Sequence, residues 1–220
     1  MIELINEFEA IVILAAAFII AYIVGGLRNR KILVRYSRIL KSRMQPKSEF
    51  LGFRQFGSSG FRAISNMKRE SPLSKIEIAI SLVDRENVMH YPLSLITKEH
   101  DTVSIWAFPK TKPGLSLEVC PKAKPTPKRP NGLMLDSIAI GQEKLEECFQ
   151  AATSDKAKAR NVLSDRRFVD SILRARSFLR YLLIDQAESR LFLTGKLTEE
   201  SLGLLLDVAT VLGQVIDSAS

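Results

Sequence analysis

Two histidines, two cysteines and the closely spaced acids Asp84 and Glu86 are the side chains of this sequence best suited to chemistry. None stands in a pattern that performs any. His90 and His100 lie apart, without a paired acid or cysteine at ligand spacing, which argues against a metal site or a general base at either. Asp84 and Glu86 flank Arg85 and read as a polar cap. Cys148 shares a helical face with Leu145, Phe149 and Ala152 and reads as core, whereas Cys120 ends a strand-like run and reads as exposed. The loop Gly57-Ser58-Ser59-Gly60 offers backbone N–H groups to a phosphate but lacks the lysine and the spacing of a P-loop, so a hairpin turn is favoured. No Gly-x-Ser-x-Gly, dinucleotide fingerprint or zinc-protease His pair occurs. The expectation is a non-enzyme with no cofactor, no metal and no small-molecule substrate.

What the sequence does carry is an anchor. Residues 10–27 (AIVILAAAFIIAYIVGGL) hold no charge. As a helix they span roughly 27 Å, close to the hydrocarbon thickness of a bilayer. Ile11, Val12, Ile13, Leu14, Phe18, Ile19, Ile20, Tyr22, Ile23 and Val24 are the expected lipid-facing residues. Residues 1–9 carry Glu3, Glu7 and Glu9, while residues 28–47 hold eight Lys and Arg and no acid. The positive-inside rule then translocates the short N-terminus and leaves the remainder in the cytosol. Without a basic N-terminal region or a small-x-small cleavage site placed before polar mature sequence, the segment reads as a retained signal anchor.

The formal charge of +8 belongs mostly to this junction: residues 1–27 contribute −3, residues 28–47 contribute +8, and residues 48–220 contribute +3. Arg28, Arg30, Lys31, Arg35, Arg38, Lys41 and Arg43 are therefore candidates for contact with phosphate or lipid headgroups. Ribosomal RNA would supply a similar field. Two cysteines make no disulfide framework, in keeping with a reducing compartment.

The expected fold is α+β: a single N-terminal transmembrane helix, then a cytosolic mixed domain with a mainly antiparallel sheet and several helices. Residues 28–47 continue the anchor as an amphipathic stalk with Ile32, Tyr36, Ile39 and Leu40 on its apolar stripe, ending before Pro46. That stripe needs a partner, and the protein's own domain is favoured over a foreign helix. Residues 48–120 form a β-rich half. In it, residues 50–56 and 61–67 make a hairpin, and residues 75–83 place Ile76, Ile78, Ile80 and Leu82 on one face. Strands at 102–108 and 115–120 follow, after a short helical or irregular run around Pro92. Residues 121–131 (PKAKPTPKRPN) read as an exposed basic loop between subdomains. Its Lys122, Lys124, Lys128 and Arg129 are candidate partner contacts, although solvation alone explains such charge.

Residues 132–220 form the second half. It comprises a strand at 133–140, helices at 142–152, 155–163 and 165–176, a hairpin of 178–184 and 190–194, and a closing helix from Thr198. Arg167, Asp170 and Arg174 can form a salt-bridged ladder on a solvated face. The closing helix carries an apolar arc wide enough that Leu204, Val208 and Val211 are further candidates for a partner.

The run Arg85-Glu86-Asn87-Val88-Met89, continuing through Leu93 to Ile96 and then Asp101-Thr102-Val103-Ser104-Ile105, resembles the calumin family of coiled-coil-containing translocon-associated proteins. Asp136-Ser137-Ile138-Ala139-Ile140 is similar to a second family segment, and Val215-Ile216-Asp217 to a third. The likeness covers most of residues 10–217 in order. It is to a minimal form, lacking the family's luminal acidic region and its C-terminal coiled coil. The resemblance implies a factor beside the Sec-type channel, partnering a small multi-pass chaperone and assisting insertion of multi-spanning proteins. The membrane would be a prokaryotic cell membrane or the endoplasmic reticulum. The family's coiled coil approaches the ribosome, so ribosome contact is left open. The alternative is a membrane-anchored adaptor or a module binding anionic lipid surfaces.

Overall fold

The alternation of residues 75–83 builds the centre of the sheet, and its neighbours follow the same period. A computed structural model describes residues 6–122 and 134–218. Its nine strands are β1 (Ser48–Phe56), β2 (Gly60–Met67), β3 (Leu73–Ser81), β4 (Thr102–Pro109), β5 (Leu117–Pro121), β6 (Asp136–Ile138), β7 (Phe149–Thr153), β8 (Leu179–Asp185) and β9 (Arg190–Lys196). They form one sheet in the order β1-β2-β3-β4-β9-β8-β5-β7-β6, with every pairing antiparallel. The helices are α1 (Glu7–Met44), α2 (His90–Ile96), α3 (Glu143–Glu146), α4 (Lys156–Ser164), α5 (Arg166–Ala175) and α6 (Glu199–Ser218). The fold is α+β, with a long apolar N-terminal helix ahead of a mainly antiparallel sheet.

Register explains the layers. One row of paired residues crosses the whole sheet: Phe53, Ala63, Ile78, Ile105, Leu193, Leu182, Val119, Ala151 and Ile138. All but Phe53 are buried. Side chains alternate across a strand, so the next row points the other way and reads Ile64, Glu77, Trp106, Phe192, Leu183, Glu118, Ala152 and Ser137. α6 covers the first face, packing on β4, β9 and α5. The wide arc noted in its sequence is consumed there. Val208, expected at a partner surface, is instead fully buried, while Leu204 and Val211 are only partly covered.

The strands of the two expected halves interleave: β9 lies between β4 and β8, and β5 lies between β8 and β7. Residues 124, 128 and 129 of the basic loop lie outside the described residues, and Lys122 sits exposed in the turn after β5.

Three local expectations need correction. The helix expected over 142–152 is only α3, four residues long, followed by β7. Leu145, Phe149 and Ala152 fit a helical spacing, yet Phe149, Ala151 and Thr153 also fit a strand. The short apolar run satisfied both periods, and pairing with β5 on one side and β6 on the other decided the outcome. Cys148 therefore sits half-buried at the α3–β7 turn rather than on a helical core face. Cys120 is buried, packed with Tyr181 and Leu183 on the second sheet face.

Asp165 caps α5, its carboxylate accepting from the backbone N–H of Arg167 at 2.8 Å and of Phe168 at 3.4 Å. Arg167 also reaches it with its guanidinium at 2.8 Å, and Arg166 takes the place expected of Arg167 beside Asp170, at 3.8 Å. The Arg167 side-chain hydrogen bond outweighs partial burial and holds the Asp165 carboxyl below its ordinary range. The folded chain thus binds this proton less tightly than the unfolded chain. The cap's contribution is complete above about pH 4 and is lost as pH falls through the lowered value. In urea titrations, Asp165→Ala should cost about 1 kcal/mol at neutral pH. That gap should close progressively in acid.

Candidate functional site

The first half of α1 is apolar on every side and covered on none. Each anchor residue named from the sequence, from Ile11 to Val24, is exposed, between 43% for Phe18 and 65% for Ile11. Among the described residues, two helices are long and apolar enough to cross a membrane, and burial separates them. The apolar window of α6 is 61% buried inside the protein and that of α1 only 6%. Monomeric soluble proteins rarely leave so large a contiguous apolar surface in water.

The same helix changes character at Gly25. From there on it buries one line of residues at three- and four-residue spacing: Gly25, Asn29, Leu33, Tyr36, Leu40 and Met44. This stripe packs on the chain's own domain, against β1 and β2 and into the main core, with Ile32 and Ile39 flanking it half-buried. Burial, with the nearby charges of Asp101 and Glu199, pushes the Tyr36 phenol up. Pro46 opens a single 3-10 turn after α1, and the chain then enters β1.

A polar lock holds the helix at the point where the apolar half begins. Arg85 donates to the Asp101 carboxylate and to the Asn29 side-chain oxygen, both at 2.9 Å. Asn29 donates to the Val83 carbonyl at 3.2 Å, and the Val83 N–H donates to Asp101 at 2.8 Å. Asn29 is fully buried. Beside it, a Cβ on Gly25 would stand 2.1 Å from the Arg85 carbonyl oxygen, so only glycine admits this approach of loop to helix. By sequence Arg85 belongs to a polar cap between Asp84 and Glu86. The lock is hidden at that level because the partners of Arg85 lie 16 and 56 residues away. The available signal was Asn29, an uncharged polar residue on the stripe that continues to Tyr36 and Met44.

The basic residues lie outside that stripe. Arg28, Arg30, Lys31, Arg35, Arg38, Lys41 and Arg43 are all exposed. Arg35 forms an ion pair with Glu199 at the start of α6. Arg43 packs its guanidinium against Gly203, where a Cβ would meet it at 2.2 Å. Leu27, Arg30, Lys31, Val34 and Arg38 line a shallow groove along the helix, closed at one side by Glu199. The structure therefore gathers the anchor residues and the basic residues on one continuous helix. It leaves Lys122, Leu204 and Val211 elsewhere.

The second sheet face carries a separate cluster. Arg62 lies over Trp106 at 5.3 Å from the ring centroid, and Trp106 packs on Phe192 at 5.3 Å between centroids. Burial pushes the Glu77 carboxyl up, but the hydrogen bond from Lys75 and the charge of Arg62 outweigh it and hold the group below its usual range. His90 faces Glu99 at 3.6 Å. Among the described residues, no three His, Cys, Asp or Glu side chains gather closely enough to hold a metal ion.

No family model and no curated protein matches this chain. One solved structure similar in part is that of the mycobacterial trehalose monomycolate transport factor A, TtfA. It is 12% identical, with a TM-score of 0.36 over 78% of this chain and 71% of that one.

Proposed function

We propose that this chain is a single-pass, non-enzymatic membrane factor that carries its sheet domain on the cytosolic side, with the N-terminus translocated. The observation that supports this most is the division of α1 at Gly25, an uncovered apolar half running without a break into a basic half locked to the domain. An anchor fused rigidly to its payload, and not through a flexible linker, fixes the domain's height and tilt above the bilayer. The resemblance to the calumin family adds the process. The domain braces a Sec-type channel while anchor and stalk shelter imperfectly apolar segments of nascent multi-spanning proteins, in company with a small multi-pass chaperone. Shielding has physical value because an unsatisfied polar group in hydrocarbon costs several kcal/mol.

A second reading rests on the exposed row Arg28, Arg30, Lys31 and Arg38: an adaptor that grips anionic headgroups and needs no channel. Crosslinking in native membranes separates the two. Recovery of channel subunits with the full-length chain is the result expected of the first, and lipid adducts alone would displace it in favour of the second.

A further inference from the structure

The short helix α2 is built inside out. Its only buried residue is Ser94, whose hydroxyl turns back to the Tyr91 carbonyl at 2.7 Å. Leu93 is 53% exposed, Leu95 64% and Ile96 77%, and Met89 just before the helix is 81% exposed. Packing against the protein's own body would put the leucines and isoleucine inside and the serine outside. The position of this segment explains the inversion. The loop that launches α2 touches α1 through Arg85 at Gly25 and through the Glu86 carboxylate at Gly26. Both glycines lie on the apolar side of Arg28, within the uncharged run that ends at Leu27. Met89 is three residues beyond Glu86, so its Cα lies within roughly 11 Å of the Glu86 Cα even if the chain is fully extended. The exposed apolar side chains of Met89 and α2 thus follow directly on a segment held against the uncharged run of α1, and Lys98, just after α2, is exposed as well.

We infer that α2 is a second membrane contact: resting on the anchor reading above, Met89, Leu93, Leu95 and Ile96 enter the headgroup and upper acyl region of the leaflet that α1 exits. The occupant of this face is lipid, because the segment that bears it touches α1 at Gly25 and Gly26, inside the uncharged run that the anchor reading places in the bilayer. With α1 it gives the domain two points of attachment, which prevents rotation of the domain about the α1 axis. The Arg85 lock between them makes the pair one rigid foot.

The test uses the full chain in vesicles of phosphatidylcholine and phosphatidylglycerol that carry bromine high on the acyl chains. Ile96→Trp adds a reporter at an exposed position, read as the difference from the parent chain with its single Trp106. Ile20→Trp reports the anchor separately. The expected result is that the Ile96→Trp reporter loses roughly half its emission to the brominated lipid and is protected from aqueous iodide. Emission open to iodide and untouched by bromine at position 96, with position 20 quenched by bromine, would overturn the α2 contact and leave the anchor standing. Protection from iodide without bromine quenching at position 96 would also overturn it, showing a protein surface, such as a second copy, in the place of lipid. Failure of bromine to reach either reporter would remove the anchor reading as well.

Discussion

Replacing Arg28, Arg30, Lys31 and Arg35 together by glutamate should leave the protein in the membrane in mixed orientations. Each reversal removes two units of charge, so four of them bring the +8 of residues 28–47 to zero, against −3 on the segment before the anchor. Orientation follows the excess of Lys and Arg flanking a span, and this variant removes four of the eight, including every one within the first ten residues after it. Each basic side chain near an anionic leaflet contributes about 1 kcal/mol, so the four replacements forfeit about 4 kcal/mol of the preference for this orientation. The exposed side chains of Arg28, Arg30 and Lys31 make no intramolecular ion pair among the described residues, so folding of the domain should survive. Arg35 is different because of Glu199. The single variant Arg35→Glu is the control, with one orientation retained and a small loss of stability. The readout is the fraction of chains whose domain is cleaved by protease added outside sealed vesicles. An unchanged single orientation for the fourfold variant would contradict the electrostatic account.

Asp101→Ala should loosen the end of the α1–domain contact at Asn29, while the stripe from Leu33 to Met44 stays packed. It removes the partner of Arg85, whose side chain is only 14% exposed, and it strips the Val83 N–H of its acceptor. Breaking one side of a largely buried pair leaves an uncompensated charge, and about 3 kcal/mol is the expected loss. Asn29→Ala removes one acceptor and one donor without stranding a full charge, so its cost should be smaller, about 2 kcal/mol. The double variant Asp101→Ala/Asn29→Ala should cost less than the sum of the two, since both act through Arg85. Urea midpoints of the detergent-solubilised chain give the energies. Limited proteolysis between residues 24 and 29 tells whether that end of the contact has come away. If Asp101→Ala and Asn29→Ala prove strictly additive, Arg85 does not couple them.

The sheet was legible strand by strand wherever alternation was strict. Ile76, Ile78 and Ile80 in β3, and Val103, Ile105 and Ala107 in β4, announce both the strand and its buried face. Helix starts were legible where an aspartate caps them, as Asp155 and Asp165 do. Strand order was not legible. Placing β9 between β4 and β8 is a matter of long-range pairing between faces that are apolar on many strands at once, and local pattern carries no information about it. β7 was lost for a related reason, because five residues satisfy a strand and a helix equally well until neighbours are known.

The candidate site divides the same way. A charge-free run followed by a basic run is a one-dimensional signal, so the long apolar helix and its basic continuation could be read directly. The lock of Asn29, Arg85 and Asp101 is three-dimensional. Asn29 alone stands out, as a polar residue on the buried stripe, but its partners Arg85 and Asp101 are ordinary for their own stretch of chain and are brought to it only by the close approach at Gly25. The exposed apolar residues of α2 look like any short amphipathic turn until the structure shows that Ser94 is the one that points inward.

The central claim is that α1 holds the domain to a bilayer from the cytosolic side. Sealed vesicles made from native membranes with the outer surface exposed, treated with protease and then stripped with alkaline carbonate, test it most directly. The account predicts that the domain of residues 48–220 is protected until the vesicles are opened, and that the chain stays with the lipid after carbonate. A domain digested from outside intact vesicles, or a chain released into the alkaline wash, would contradict it.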